Sequence, residues 1–212
     1  MPVTEFNDDK PAIDYIRNRG YVSYSCLKNV RDCLIPSVYK STALNFGKEL
    51  HSRDLEKKRT CTLSKEEEIK LKGMLAVLGS SKMVQQLKQG SKFEQEFKEP
   101  LYGLMVLGYI DIDGKSISDY KTCWHNNSKK FISEQDFLQA ALYLAVRKRK
   151  DFYYIGICKE VPHTLMIHNV QHYPARIKAA QVELKNLITY TKLKLDGKIK
   201  SNYIYKTWLH TL

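Results

Sequence analysis

The chain has five cysteines but no CxxC pair. Cys26, Cys33, Cys61, Cys123 and Cys158 lack the paired spacing of a structural zinc site, and their odd number does not suit a secreted disulfide framework. They read as reduced thiols, which predicts a cytoplasmic protein. No apolar run approaches the length that spans a bilayer, and the first ten residues, MPVTEFNDDK, are polar and acidic, so no membrane partner is expected. Internal repeats, low-complexity tracts and Pro/Gly-rich linkers are missing as well. That predicts a single domain over residues 1–212, with its core over about 41–170 and a C-terminal helix over about 173–195. Neither GxxxxGK[ST] nor GxSxG occurs, which removes a built-in motor and a nucleophile-elbow hydrolase from consideration.

What the chain has in excess is positive charge. Thirty-five Lys and Arg face 23 Asp and Glu, a formal net charge of +12, while hydrophobic residues make up an ordinary 43%. A compact protein carries self-repulsion at such a charge, and a polyanionic partner relieves it.

The pattern along the chain is helices first, strands second. Pro11–Asn18 reads as a short helix stopped by Gly20, and Tyr21–Ser25 as either a short strand or a turn. Ser41–Lys57 carries leucines at helical spacing, and Ser64 with Glu67 makes a capping box for a helix reaching about Leu87, broken at Gly79-Ser80-Ser81. Strands follow at Phe93–Phe97, Leu104–Ile112 and Ser116–Thr122, the last two joined by an Asp113-Gly114 hairpin turn. Ser133 with Asp136 predicts a helix to about Lys150; then come strands at Phe152–Lys159 and Leu165–Val170 and a helix over Tyr173–Leu195. The order implies an α/β or α+β fold around a mixed sheet.

Three residues on the hairpin point to chemistry. If the turn lies at Asp113-Gly114, Asp111 and Asp119 face each other across the ladder, and Lys121 leaves the same sheet face as Asp119. Two carboxylates can hold a hard divalent cation, which polarises a phosphate and acidifies bound water, and the amine can stabilise developing negative charge. Taken alone, Asp-x-Lys is the pattern of an ordinary strand ion pair.

The company of this pair carries more. Gly108-Tyr109-Ile110-Asp111, then Asp119-Tyr120-Lys121-Thr122, then Gln139-Ala140-Ala141-Leu142-Tyr143 resembles the PD-(D/E)XK nuclease superfamily. It is most similar to the RecB-like branch, which includes phage exonucleases and CRISPR-associated adaptation nucleases. That branch carries a histidine in a G-x-x-x-H pattern on an upstream helix, here Gly47-Lys48-Glu49-Leu50-His51. The resemblance spans roughly residues 41–160. It implies a restriction-endonuclease-like α/β core, with a central mixed β-sheet flanked by helices, and a DNA nuclease dependent on Mg²⁺ or Mn²⁺. His51, Asp111 and Asp119 would be side-chain metal ligands, the Tyr120 carbonyl a backbone ligand and Lys121 the catalytic lysine. Gln139 and Tyr143 would support the site from a helix and touch DNA. Glu94, Glu96 and Glu99 compete for an accessory acidic position, and Glu96 is the choice.

Basic residues stand where a phosphate backbone would meet them: Lys129 and Lys130 after the lysine strand, Arg147 and Arg149 at the end of the following helix. The Arg147–Lys150 run equally suits the negative end of a helix dipole. Some relatives carry a four-cysteine iron–sulfur cluster whose ligands gather near the C-terminus; nothing after Cys158 supplies them, so no such cluster is expected. DNA is the expected partner, with a homo-oligomer or a recombination, replication or repair protein as further candidates. A DNA-binding or scaffolding protein of the same fold without turnover is the rival reading.

Overall fold

This computed structural model describes residues 9–34, 42–199 and 205, and among these described residues five α-helices precede the first strand. They are α1 (Lys10–Arg19), α2 (Tyr24–Asp32), α3 (Thr42–His51), α4 (Lys65–Ser80) and α5 (Lys82–Lys88). Gly20 ends α1 in the left-handed conformation at φ 71°, as its position in the sequence suggests. Ser23 caps α2 by accepting from the Cys26 N–H, so the segment left open as strand or turn is mostly a helix start; Val22 makes one isolated bridge to Val106. The expected start of α3 at Ser41 lies outside the described residues. Ser64 and Glu67 form the capping box of α4, and Ser81 both breaks that helix and caps α5.

The sheet contains β1 (Lys92–Leu101), β2 (Leu104–Asp113), β3 (Ile117–Cys123), β4 (Phe152–Cys158) and β5 (Leu165–Asn169), side by side in chain order. The β2–β3 and β4–β5 pairs are antiparallel, whereas β3 and β4 run parallel, so the sheet is mixed. A parallel neighbour needs a long crossover, and helices α6 (Ser128–Glu134) and α7 (Phe137–Arg147) supply it. Helix α8 (Pro174–Leu195) closes the order. The α/β class with a mixed sheet flanked by helices is therefore as expected.

One helix boundary differs. The helix expected from Ser133 to Lys150 is two helices, because Asp136 is the cap: its Oδ1 accepts from the Leu138 N–H, and Ser133 instead closes α6 by donating to Lys130 O. Lys148 in the left-handed region ends α7 three residues earlier than expected.

The described residues form two compact units. One draws on those before residue 39, on Glu96–Gly108 and on those from Ala175 onward; the other draws on Tyr39–Gln95 and Tyr109–Pro174. In the first, Asp9 is buried and accepts from the Tyr190 hydroxyl, with Lys194 Nζ 3.3 Å from its other oxygen. In the second, Phe46, Leu50, Leu71, Met74, Leu78, Ile112, Tyr120, Ile155 and Ile157 make a core between α3, α4 and the sheet. On the sheet's other side Phe131 lies against Gly156, the β4 neighbour of Lys121. A Cβ at Gly156 would stand 2.4 Å from the Phe131 ring. Gly156→Ala is therefore expected to destabilise by about 1–3 kcal/mol through overpacking, read as a lower urea midpoint at unchanged m-value. No described helix is long and apolar enough to cross a membrane.

Candidate metal centre and catalytic group

The site forms where two strands part. The β2–β3 ladder pairs Asp113 with Ile117 and Ile112 with Ser118. Two positions beyond Ser118 the Tyr120 N–H is met by a side chain: Asp111 Oδ2 accepts from it at 2.7 Å. The carboxylate fills the fork and satisfies a backbone donor that an open ladder would strand. It is buried there, 8% exposed.

His51 reaches the fork from the last position of α3. Its Nδ1 lies 3.5 Å from Asp111 Oδ2 and 3.6 Å from Glu94 Oε1. Its ring meets Tyr120 edge-on at 5.6 Å, and Tyr120 is in turn held by donating its hydroxyl to Asp54 Oδ2 at 2.6 Å, an oxygen that also accepts from Lys88 Nζ at 2.6 Å. Immediately after His51 the helix widens into a π turn, Ser52–Glu56, a feature frequent at functional sites. Fully buried Glu49 fixes this turn: it accepts from Arg53 Nε at 2.6 Å, from the Thr60 hydroxyl at 2.6 Å and from the backbone N–H of Thr60 and Cys61 at 2.8 Å each. Arg53 then forks onto both Glu68 oxygens at 2.7 Å, tying the turn to α4.

On β3, Lys121 Nζ stands 2.6 Å from Asp119 Oδ2. The other Asp119 oxygen accepts from Gln139 Nε2 of α7 at 2.8 Å, and Gln139 also lies 3.4 Å from the Tyr143 hydroxyl. The i, i+4 spacing of Gln139 and Tyr143 thus turns both side chains toward the strand pair.

Charge here is concentrated and poorly solvated. Burial, reinforced by Asp119, pushes the Asp111 carboxyl well above the usual carboxylate range. Burial would lower the His51 imidazole, but Asp111, Glu94 and Asp119 outweigh it and raise its pKa. Lys121 shows the same contest: burial lowers it, Asp119 wins, and the ammonium is held above its ordinary value. Burial and then Asp119 raise the Tyr143 phenol, keeping it neutral.

These residues fit a divalent cation. One ligand atom each from His51, Glu94 and Asp111 lies within 4.8 Å of the others. Glu94 Oε1 is buried without a hydrogen-bond partner. The 3.5–3.6 Å spacings around His51 Nδ1 exceed a hydrogen bond, and imidazole plus carboxylates is a donor set for a hard or borderline divalent ion.

The acidic residue beside His51 and Asp111 is Glu94, and not Glu96, the sequence-based choice, which is exposed. Alternation cannot separate the two, since they share a parity; Glu94 adopts φ 48°, a left-handed backbone unusual in a strand, which breaks the pleat beside His51. Arg147 is not brought to the site: it pairs with Asp113 of the hairpin at 3.0 Å. Lys129, Lys130 and Arg149 are exposed, with Lys130 3.9 Å from Glu134. Sequence reasoning also missed the Glu49 hub and a cleft of about 370 Å³ lined by Lys48, His51, Glu94 and Tyr109.

A solved structure from Eubacterium rectale, named as a candidate exonuclease, is 17% identical to this chain and superposes with a TM-score of 0.65, covering 94% of this chain and 89% of its own. That likeness shows a shared fold. The structure of LHK-Exo in complex with dAMP is 12% identical over 86% of this chain and 94% of its own, with a TM-score of 0.39, a level from which nothing follows for this chain. No protein-family model and no curated protein matches the sequence.

Proposed function

We propose that the chain is a divalent-metal-dependent deoxyribonuclease of the PD-(D/E)XK type, acting as an exonuclease in DNA recombination, replication or repair. The observation that carries this reading is the buried meeting of His51, Glu94 and Asp111 beside the Asp119–Lys121 ion pair. The name of the E. rectale neighbour points the same way. His51, Glu94, Asp111, Asp119 and the Tyr120 carbonyl would hold Mg²⁺ or Mn²⁺. When bound, such an ion polarises the phosphate and lowers the pKa of a coordinated water.

The chain's own groups do the rest. Lys121, charged and half-buried, directs the attacking water and stabilises negative charge growing on the phosphoryl oxygens. A water oxygen–phosphorus bond forms, the phosphorus–ester oxygen bond breaks, and the water's proton leaves as the departing alkoxide takes one up. Gln139 holds Asp119 in place, so the carboxylate keeps its second oxygen for Lys121 or metal. Exposed Lys129, Lys130 and Arg149 suit contact with phosphates that carries no sequence information.

Glu94→Ala is expected to cut metal-dependent cleavage by at least about 100-fold, whereas Glu96→Ala leaves it within about twofold; steady-state rates on one duplex substrate compare them. The broader test uses linear and closed circular DNA with Mg²⁺, Mn²⁺ or EDTA, beside Asp119→Ala. Metal-dependent loss of linear DNA alone, absent in the variant, supports an exonuclease. Cutting of circles replaces that with an endonuclease, and no cutting in any condition favours a binding protein without turnover.

A further inference from the structure

Trp124 follows the last residue of β3 and is 63% exposed. Its indole has one face covered: Lys159 Nζ lies 4.7 Å from the ring centroid, and 5.0 Å from that of Phe46 on α3. The Lys159 N–H donates to Cys123 O at 2.8 Å, which sets the ends of β3 and β4 side by side. Lys159 is only 6% exposed, and among the described residues its ammonium has no carboxylate at ion-pair distance. A buried lysine is normally paired; here two aromatic rings lie against the ammonium and Glu67 acts on it only from beyond ion-pair distance, so burial pushes its pKa down. The site therefore holds a cation without a direct ion pair against the indole, and most of that side chain is exposed.

We propose that Trp124, backed by Lys159, is a stacking site for an unpaired base of the DNA strand cut at the metal site. The inference rests on the nuclease reading. An open indole face beside a cation is the elementary unit of single-strand binding: the ring takes any base, the cation takes the phosphate. Trp124 follows Lys121 by three residues, about 10 Å along the chain, and meets Lys159 on the α3 side of the sheet. Phe46 and His51 sit on one helix, so the stacking site and the metal group share a second rigid element. Exposed Lys129 follows on α6 and extends the positive charge beyond the ring. The occupant this chemistry fits is single-stranded DNA rather than an apolar protein surface, because the cation would be left unpaired under the latter.

The test uses a Trp208→Phe background, which leaves Trp124 as the one remaining tryptophan. Titration with a dT12 oligonucleotide in EDTA is expected to quench the emission saturably, with a blunt 12-base-pair duplex quenching far less. In the same buffer Trp124→Ala is expected to weaken dT12 binding about tenfold, and Trp124→Phe to restore most of it. Lys159→Met is expected to weaken dT12 binding and flatten its salt dependence. Saturable dT12 binding with unchanged emission and no loss in Trp124→Ala overturns the stacking site; if the same preparation cuts duplex DNA, the nuclease reading survives. Wild-type protein that neither binds nor cuts any DNA overturns both.

Discussion

Asp111→Asn is expected to abolish metal-dependent cleavage, by at least about 100-fold, and at the same time to raise the melting temperature of the metal-free protein at pH 8. Both effects come from one carboxylate placed where folding alone would not put it. Asp111 is buried, and burial together with Asp119 pushes its pKa up. The folded chain therefore keeps the proton at pH values where an unfolded aspartate has released it. Below the unfolded value near 3.9 both states are protonated and the group costs nothing. Above that value the unfolded state gains from ionising and stability falls, so the cost is fully present at alkaline pH. Asparagine removes the charge and still offers an oxygen to the Tyr120 N–H. The gain in stability should shrink as the pH is lowered toward 4, and saturating Mn²⁺ should stabilise the wild type alone. Thermal melts at pH 5 and pH 8 in EDTA, with and without added metal, read all of this. A variant that melts below wild type at pH 8 in EDTA would show that the site is not held under charge repulsion.

Glu49→Ala is expected to be the most destabilising single change near the site, by about 3–5 kcal/mol, because it strands three donors of the Thr60–Cys61 segment and leaves Arg53 with Glu68 as its one carboxylate partner. Burial alone would raise the Glu49 carboxyl, yet the Thr60 hydroxyl, Arg53 and the two backbone N–H groups outweigh it and hold its pKa at about 2. For a carboxylate depressed in the folded state, the stabilisation is present above the unfolded value near 4.5 and is lost as pH falls toward 2. Wild type should therefore lose stability steeply across that acid window, and Glu49→Ala, already weak at neutral pH, should lose less. Urea titrations between pH 2.5 and 7 measure the difference. Since the π turn after His51 hangs on Glu49, metal affinity should fall in the same variant. Equal acid slopes in the two proteins would remove Glu49 from this role.

How much of this could be read from the residues depends on how local the cause is. Asp119 and Lys121 were legible as a pair because strand parity is a two-residue property, and Asp111 joined them through the Asp113-Gly114 turn. The capping box at Ser64 and Glu67 is equally local, as is Gly20 after α1. Gln139 and Tyr143 were legible only through resemblance, since a Gln–Tyr pair at helical spacing has no chemistry until a strand lies beneath it. Glu94 was not separable from Glu96 or Glu99, because what sets it apart is a left-handed backbone at a non-glycine residue, and no sequence signal marks that. The split between α6 and α7 turned on which of two polar residues caps a helix, and Asp136 prevailed over Ser133. Arg147 looked available for phosphate because its partner Asp113 lies 34 positions away and meets it only in the folded chain. The Glu49 hub was hidden for the same reason: its partners lie 4, 11 and 12 positions away in a turn with no pattern of its own.

On the proposed function, the fork between β2 and β3 holds a divalent ion on which DNA cleavage depends. Titrating the purified chain with Mn²⁺ and counting free ion by electron paramagnetic resonance tests it most directly, beside Asp111→Asn and Glu94→Gln of unchanged circular dichroism. Saturable binding of about one ion or more per wild-type chain is expected, falling in parallel with cleavage in both variants. Equal Mn²⁺ binding in all three proteins, or cleavage that persists in EDTA, would contradict it.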